Sequence, residues 1–434
     1  MLKCVSILKH YINSICVIKL PSTGHIPDII KSFNGLKLVE WQIEMSHPLQ
    51  SSTGSYSSTV DVLRHLIQAR SVTPNDAGTL NFLESQLKKQ GFSVEQFERN
   101  GVKNLIARHH FGDGPTLAYS GHVDVVPAQS DGWLVDPFSG QVIDGIMYGR
   151  GAADMKGSIA AMLNATRHLC AAAKPCTGTF YWLITSDEEG EAEYGSLEIA
   201  QYLQSKGVVL DACLVGEPTS NKAVGDTIKN GRRGAISGRI TINGKAGHVA
   251  YPEKAINAAH IAGELVTKLT SLNWMKDVPG SKTTLQVTGI TVPNIVDNLV
   301  PASCEVTFNI RYSHAYKSQE VCEIVETLTQ QAKFAAQLQW ERPCESFYTG
   351  KKDDSCFLSL VEHAISKELG HFPALSTAGG TSDGRFFAND DTQVVECGVK
   401  NESIHQVNEH VSIADLDMIE SIYLRILQDF FETN

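Results

Sequence analysis

Five segments of this 434-residue chain carry acids or histidines where they could bind cations. His122 and Asp124 stand two apart in the apolar stretch Leu117–Pro127. On a strand such residues face one side, and a metal-bound imidazole commonly donates its other ring nitrogen to a carboxylate. Asp154 lies in Gly149-Arg-Gly-Ala-Ala-Asp-Met-Lys-Gly157. The glycines allow an unusual backbone path around it, although an acid at the start of a helix is equally consistent with a cap. Asp187, Glu188 and Glu189 follow the apolar run Phe180-Tyr-Trp-Leu-Ile-Thr185. Crowding three acids there is unfavourable unless cations or protons neutralise them. Glu217 stands beyond Cys213-Leu-Val-Gly, and His405 lies in Ser403-Ile-His-Gln-Val-Asn-Glu409.

Two histidines, two glutamates and one aspartate form a suitable ligand inventory for two ions. With Asp154 shared, each ion receives one His, one Glu and the bridging Asp, and positions stay open for water and substrate. A water between two cations has a strongly lowered pKa, which makes hydroxide available near neutral pH. Glu188, whose neighbour Glu189 is occupied, is the natural group to take the proton and pass it to a leaving amine. The chemistry is metal-assisted hydrolysis. Taken singly, each segment also has a plain reading: a polar strand, a solvated acidic loop or a structural histidine.

These residues need a frame that brings distant segments together. Helices read over Val60–Ala69, Thr79–Lys89, Ser158–Leu169 and Leu197–Leu203. Short apolar runs lie between or beyond them at Asn104–Arg108, Thr116–Val126, Thr179–Thr185, Cys213–Val215 and Gln393–Cys397. The alternation predicts an α/β fold, a mainly parallel sheet with helices on both faces. In such sheets sites form beyond the carboxyl ends of strands, where these residues fall. The rhythm changes after Arg233 to strand Gly238–Asn243, helix Ile256–Leu269, strands Thr284–Val292 and Cys304–Tyr312, helix Gln319–Lys333 and strand Gln337–Glu341. This β-α-β-β-α-β order predicts an inserted ferredoxin-like α+β domain over 234–346. The metal-binding domain then comprises 45–233 and 347–434.

Composition narrows the function classes. A hydrophobic share of 42% and a charged share of 20% are those of a soluble globular chain. A net charge of -11 disfavours nucleic-acid binding. The cluster Lys229, Arg232 and Arg233 suits a small anion better, or is simply a solvated basic turn. The ten cysteines are scattered without a C-x-x-C pair, as in a reduced cytoplasmic protein. Val5–Leu20 carries Lys9, His10 and Lys19, and is too short and polar to span a bilayer. The first Arg is Arg64, so a transit peptide is not expected, and residues 1–44 read as a dispensable extension.

In this order, the five segments resemble those of the M20 metallopeptidase/deacylase family, over nearly all the chain from about residue 58. Further matching stretches are Ile228-Lys-Asn-Gly-Arg-Arg-Gly234, Gly247-His-Val-Ala-Tyr-Pro252 and Gly379-Gly-Thr-Ser-Asp-Gly-Arg-Phe386. The resemblance implies that His122, Asp154 and Glu217 hold one zinc, or cobalt, and that Asp154, Glu189 and His405 hold the other. It implies Glu188 as general base and then acid, Asp124 as the orienter of His122, and a cis Asp154–Met155 peptide. The inserted domain becomes a lid and homodimer interface, with His248 stabilising the oxyanion in the opposite subunit. Arg232, Asn298, Arg311, Gly380 and Thr381 become substrate contacts. The branch most similar in these details is bacterial and cytoplasmic, and removes the succinyl group from N-succinyl-LL-2,6-diaminopimelate. Other deacylases of the family, such as those acting on acetylornithine, share the ligands and remain the nearest alternative. A non-catalytic metal-binding dimer is the alternative outside enzymes. One departure is Ala235, where a hydroxyl residue could donate to substrate.

Overall fold

The computed structural model describes residues 56–432, apart from 130, 173, 294–295, 332–334 and 352–355. The extension read at residues 1–44 lies outside the described residues.

The main sheet has eight strands. In spatial order they are Ser93–Arg99, Val102–Gly112, Gly178–Thr185, Thr116–His122, Ala212–Val215, Gln393–Glu396, Thr227–Lys229 and Ala374–Ser376. The four middle strands, from Gly178–Thr185 to Gln393–Glu396, pair in parallel, and antiparallel pairing flanks them. Gly178–Thr185 is buried at every residue, which explains its unbroken apolar run. Helices cover both faces. Helix Gly157–Ala171 is buried almost all round, and its alanines let helix Ile413–Phe431 pack against it. Helix Ser196–Ser205 covers the opposite face with Ile199 and Leu203.

Lys156, just before Gly157–Ala171, is fully buried. Its Nζ donates to the carbonyls of Leu66 and Ala69 at 2.7 and 3.1 Å. The cation thus satisfies carbonyls at the C-terminal end of helix Thr59–Gln68. Burial is the largest influence on it and lowers its pKa to about 7.

The second sheet has its own core. Strands Thr284–Thr291, Ser303–Tyr312, Gly234–Asn243 and Ala335–Cys344 lie in that order, all antiparallel. Helices Ala258–Thr270 and Ser318–Gln331 complete the β-α-β-β-α-β succession. Strand Ser303–Tyr312 alternates strictly, with Cys304, Val306, Phe308 and Ile310 facing the helices. The opposite face carries Asn309 and Arg311.

Candidate metal centre

The parallel register lines up the carboxyl ends that carry the acids. His122 is opposite Thr185 on one neighbour, and Ser120 is opposite Val215 on the other. The segments that follow, Asp187–Glu189 and Glu217, therefore leave the sheet beside His122. The strand ends at His122 rather than continuing to Val126; beyond it Val125 bridges to Val72. Asp154 arrives from the irregular turn Ala152–Lys156, which follows Gly151 at φ 86° and contains a cis Asp154–Met155 peptide. His405 sits in a turn with φ 59°.

Asp154 stands between the two histidines. Its Oδ1 is 3.3 Å from His122 Nε2, and its Oδ2 is 3.4 Å from His405 Nε2. Glu217 Oε1 is 3.5 Å from His122 Nε2, and Glu189 Oε1 is 3.0 Å from His405 Nε2. Donor atoms of His122, Asp154 and Glu189 lie within 4.8 Å of one another, as do those of His122, Glu188 and Glu217. Glu188 therefore lies close to His122 and Glu217 in the same cluster.

Charge explains what this cluster can accept. Four carboxylates face two imidazoles, His122 buried and His405 at the exposed rim. Burial pushes the Glu217 carboxyl up to about 7, reinforced by Asp154. Glu188 is pushed well up by burial and then by Glu217. Burial opposes ionisation of Asp154 too, but hydrogen bonds to His122 and His405 hold its carboxyl below the usual range. Asp154 and Glu217 both touch His122 yet shift oppositely, because Asp154 has two imidazole partners and Glu217 has one. Hydrogen bonds to Asp154 and Glu189 raise His405 to about 10. Burial opposes protonation of His122, but Asp124, Asp154 and Glu217 outweigh it. This mixed nitrogen and oxygen donor set, with its excess negative charge, fits two divalent cations.

The surrounding residues hold the donors in place. The nearest acceptor to His122 Nδ1 is the Asp124 carbonyl at 3.0 Å; the Asp124 carboxylate is 3.6 Å away. With Nδ1 engaged by that carbonyl, Nε2 is the ring nitrogen that faces the cluster. The Asp124 carboxylate also accepts from the backbone N–H groups of Glu188 and Glu189 at 3.4 and 3.1 Å. Asp124 therefore orients His122 mainly through its backbone, and its side chain pins the acidic turn. Asp187 faces inward and accepts from Glu193 and Tyr194 N–H, each at 3.2 Å.

Glu409 is a structural contributor to which the sequence reading gave no role. It is fully buried and accepts from Arg150 Nη1 at 2.7 Å and from the N–H groups of Gly151, Ala153 and Asp154 at 3.0, 3.0 and 3.1 Å. It ties the Asp154 turn to the segment carrying His405. Its place four residues after His405 was the available signal, but an acid in a loop cannot be told from a solvated one by type alone.

Asp154, Glu188, Glu189, Glu217 and His405 form the floor of a cavity of about 360 Å³, whose walls include Lys229, Arg232, Arg311, Gly380 and Thr381. An adjoining cavity of about 520 Å³ shares Glu188, Arg311 and Thr381 and extends past Asn309 and Arg385. Arg232 is not a free cation there, because its Nε donates to buried Glu396 at 2.7 Å. His248 and Asn298 line neither cavity. They lie together on a small ribbon of the second sheet's unit, where His248 is the register partner of Leu299, and both are exposed. Among the described residues, no helix is long and apolar enough to cross a membrane.

The sequence model of "Peptidase family M20/M25/M40" matches residues 118–429. A succinyl-diaminopimelate desuccinylase 1 of Alteromonas mediterranea is 46% identical over 384 residues, covering 87% of this chain and 97% of the relative. Among solved structures, an M20 metallo-carboxypeptidase of Sulfolobus solfataricus superposes with TM-score 0.71 at 17% identity, covering 86% of this chain and 99% of that one. A dinuclear metal-binding M20 peptidase of Bacillus subtilis superposes with TM-score 0.65 at 16% identity, covering 85% and 96%. The extent of the family match, together with a relative this similar along nearly its whole length, assigns the chain to the M20/M25/M40 peptidase family.

Proposed function

We propose that this chain hydrolyses N-succinyl-LL-2,6-diaminopimelate to succinate and LL-2,6-diaminopimelate at a pair of divalent cations. The observation that carries the reading is the meeting of Asp154, Glu189, Glu217 and His405 on one cavity floor, with His122 against Asp154 and Glu217 just beneath it. The substrate is taken from the desuccinylase relative. His122, Asp154 and Glu217 would hold one ion, and Asp154, Glu189 and His405 the other; zinc suits these donors, with cobalt as an alternative. Such ions, when bound, lower the pKa of water and polarise an amide carbonyl.

The remaining work falls to side chains. Glu188 takes the proton of the attacking water and delivers it to the leaving nitrogen, so that the C–N bond breaks to an acid and an amine. Its place beside His122 and Glu217 suits a group that passes that proton from water to leaving nitrogen. Asp124 fixes the turn that carries Glu188. Gly380, Thr381, Arg232 and Arg311 line the walls and position a substrate bearing several carboxylates. We infer a homodimer whose second-sheet units act as lids, delivering His248 and Asn298 to the opposite site. Their exposure outside the cavity of their own chain supports this. A reduced cytoplasmic setting accords with the scattered cysteines, none of which forms a C-x-x-C pair.

The test is a substrate panel on purified protein, with and without chelation. Hydrolysis of the N-succinyl substrate, lost on chelation and restored by zinc or cobalt, is the expected result. Hydrolysis of acetylornithine alone would overturn the substrate assignment. Full activity in metal-free protein would overturn the role of the ions.

A further inference from the structure

Strands Thr116–His122 and Ala212–Val215 run side by side, with Ser120 opposite Val215. The Gly216 N–H then donates to the Ser120 carbonyl at 3.1 Å, which brings Gly121 and Gly216 next to each other at the strand ends. Each glycine stands immediately before a donor of the metal cluster, His122 in one case and Glu217 in the other. Neither has a positive φ, so close approach, not backbone conformation, calls for the missing side chain. The group that approaches is Met155. A Cβ added to Gly121 would lie 2.6 Å from Met155 Cε, and one added to Gly216 would lie 2.6 Å from the same atom. The methionine methyl therefore fills a notch two glycines wide.

The notch has no slack. Met155, Tyr119 and Ile159 are fully buried. Tyr119 crowds the Gly216 position, and Ile159 stands against Gly121. A Cβ on Gly398 would come within 2.7 Å of the Gly216 carbonyl oxygen, so that backbone is pressed from Gly398 as well. Met155 itself directly follows Asp154. One methyl thus meets the backbone next to His122 and Glu217, on a residue bonded to Asp154. These are the three donors assigned to one ion. No residue adjoining Glu189 or His405 is among these contacts. Asp154 has a separate anchor, because Glu409 accepts from its N–H at 3.1 Å. Close packing makes side-chain volume set the spacing of backbones, and coordination holds only within about 0.2 Å of its normal distances.

We propose that Met155 is a positioning residue for one of the two ions: its side chain, wedged between Gly121 and Gly216, sets the distance between His122 and Glu217 around Asp154. The two ions therefore depend unequally on the packing beneath the cluster. The inference rests on the two-ion reading of the site and names the apolar group that holds one half of it in shape.

The experiment uses full-length protein titrated with zinc and compares wild type with Met155→Ala, Met155→Leu and Met162→Ala. Chelator competition gives the two stepwise zinc affinities, and anomalous diffraction at limiting zinc gives the occupancy of each position. Met155→Ala is expected to weaken the ion of His122, Asp154 and Glu217 by about 10- to 100-fold, with the ion of Glu189 and His405 held within about threefold. Met155→Leu, close in volume, recovers most of the loss. Met162→Ala empties an equally buried position on helix Gly157–Ala171; it lowers the melting temperature and leaves both affinities unchanged. Unchanged affinities in Met155→Ala overturn the proposal. So does an equal loss at both ions, or the same loss in Met162→Ala, since either marks general loosening of the core. Should Met155→Ala fail to fold, Met155→Val, which also lacks the terminal methyl, supplies the same comparison. Wild type that takes up only one ion sinks the two-ion reading itself, and this is seen before any variant is compared.

Discussion

Glu188 and Glu189 are neighbours in sequence with different surroundings. Glu189 meets His405 at 3.0 Å, whereas Glu188 groups with His122 and Glu217. If Glu188 moves the proton, Glu188→Ala lowers kcat by about a thousandfold or more with metal content near normal. Assay and elemental analysis of the same sample check this; near-normal turnover would remove its assigned role. Glu409 works differently, by holding the Asp154 turn through three backbone N–H groups. Glu409→Gln is expected to weaken metal affinity by about 10- to 100-fold, as loss of such support does elsewhere. Chelator competition measures it, and unchanged affinity would contradict the positioning role.

At the scale of elements, parallel strand ends bring the donors together, and buried polar anchors fix the connections. Lys156 is such an anchor, since two carbonyls depend on its Nζ. Lys156→Met is expected to cost about 2–4 kcal/mol of stability through the unsatisfied carbonyls, read as a lower midpoint in urea unfolding. An unchanged midpoint would mean that water replaces the amine. The regular elements that were read show a periodicity that reflects burial; helices Phe357–Leu369 and Ile413–Phe431 were not among them, although each buries an apolar face. The helix at Thr79–Lys89 ends where its lysines and Gly91 imply, and Gly178–Thr185 matches its apolar run within a residue. Strands Ser93–Arg99 and Ala374–Ser376 escaped notice because both are edge strands, largely exposed and without a continuous apolar pattern. The ligand-bearing segments could be read because acids directly after buried strands are chemically odd. The pairing of Arg232 with Glu396 could not, because the two are far apart in sequence and neither carries a local signal of its partner.

For the whole molecule, the second sheet's unit has its own apolar core, and its polar face carries Arg311 toward the cavity. If that unit also delivers His248 across a dimer, two inactive variants can complement each other. Glu188→Ala and His248→Ala chains, unfolded and refolded together, are expected to regain activity that neither shows alone. One site of each hybrid then combines an intact Glu188 with an intact His248. Absence of recovery in proven hybrids would place His248 in its own chain's chemistry or outside it. Deletion of residues 1–44 is expected to leave kcat/KM unchanged, and loss of activity on deletion would contradict their reading as an extension.

The most direct measurement is anomalous diffraction from zinc-loaded crystals, recorded on both sides of the zinc absorption edge. Two peaks are expected in each chain, one among His122, Asp154 and Glu217 and the other among Asp154, Glu189 and His405. A single peak, or peaks away from Asp154, would contradict the two-ion centre on which the proposed hydrolysis depends.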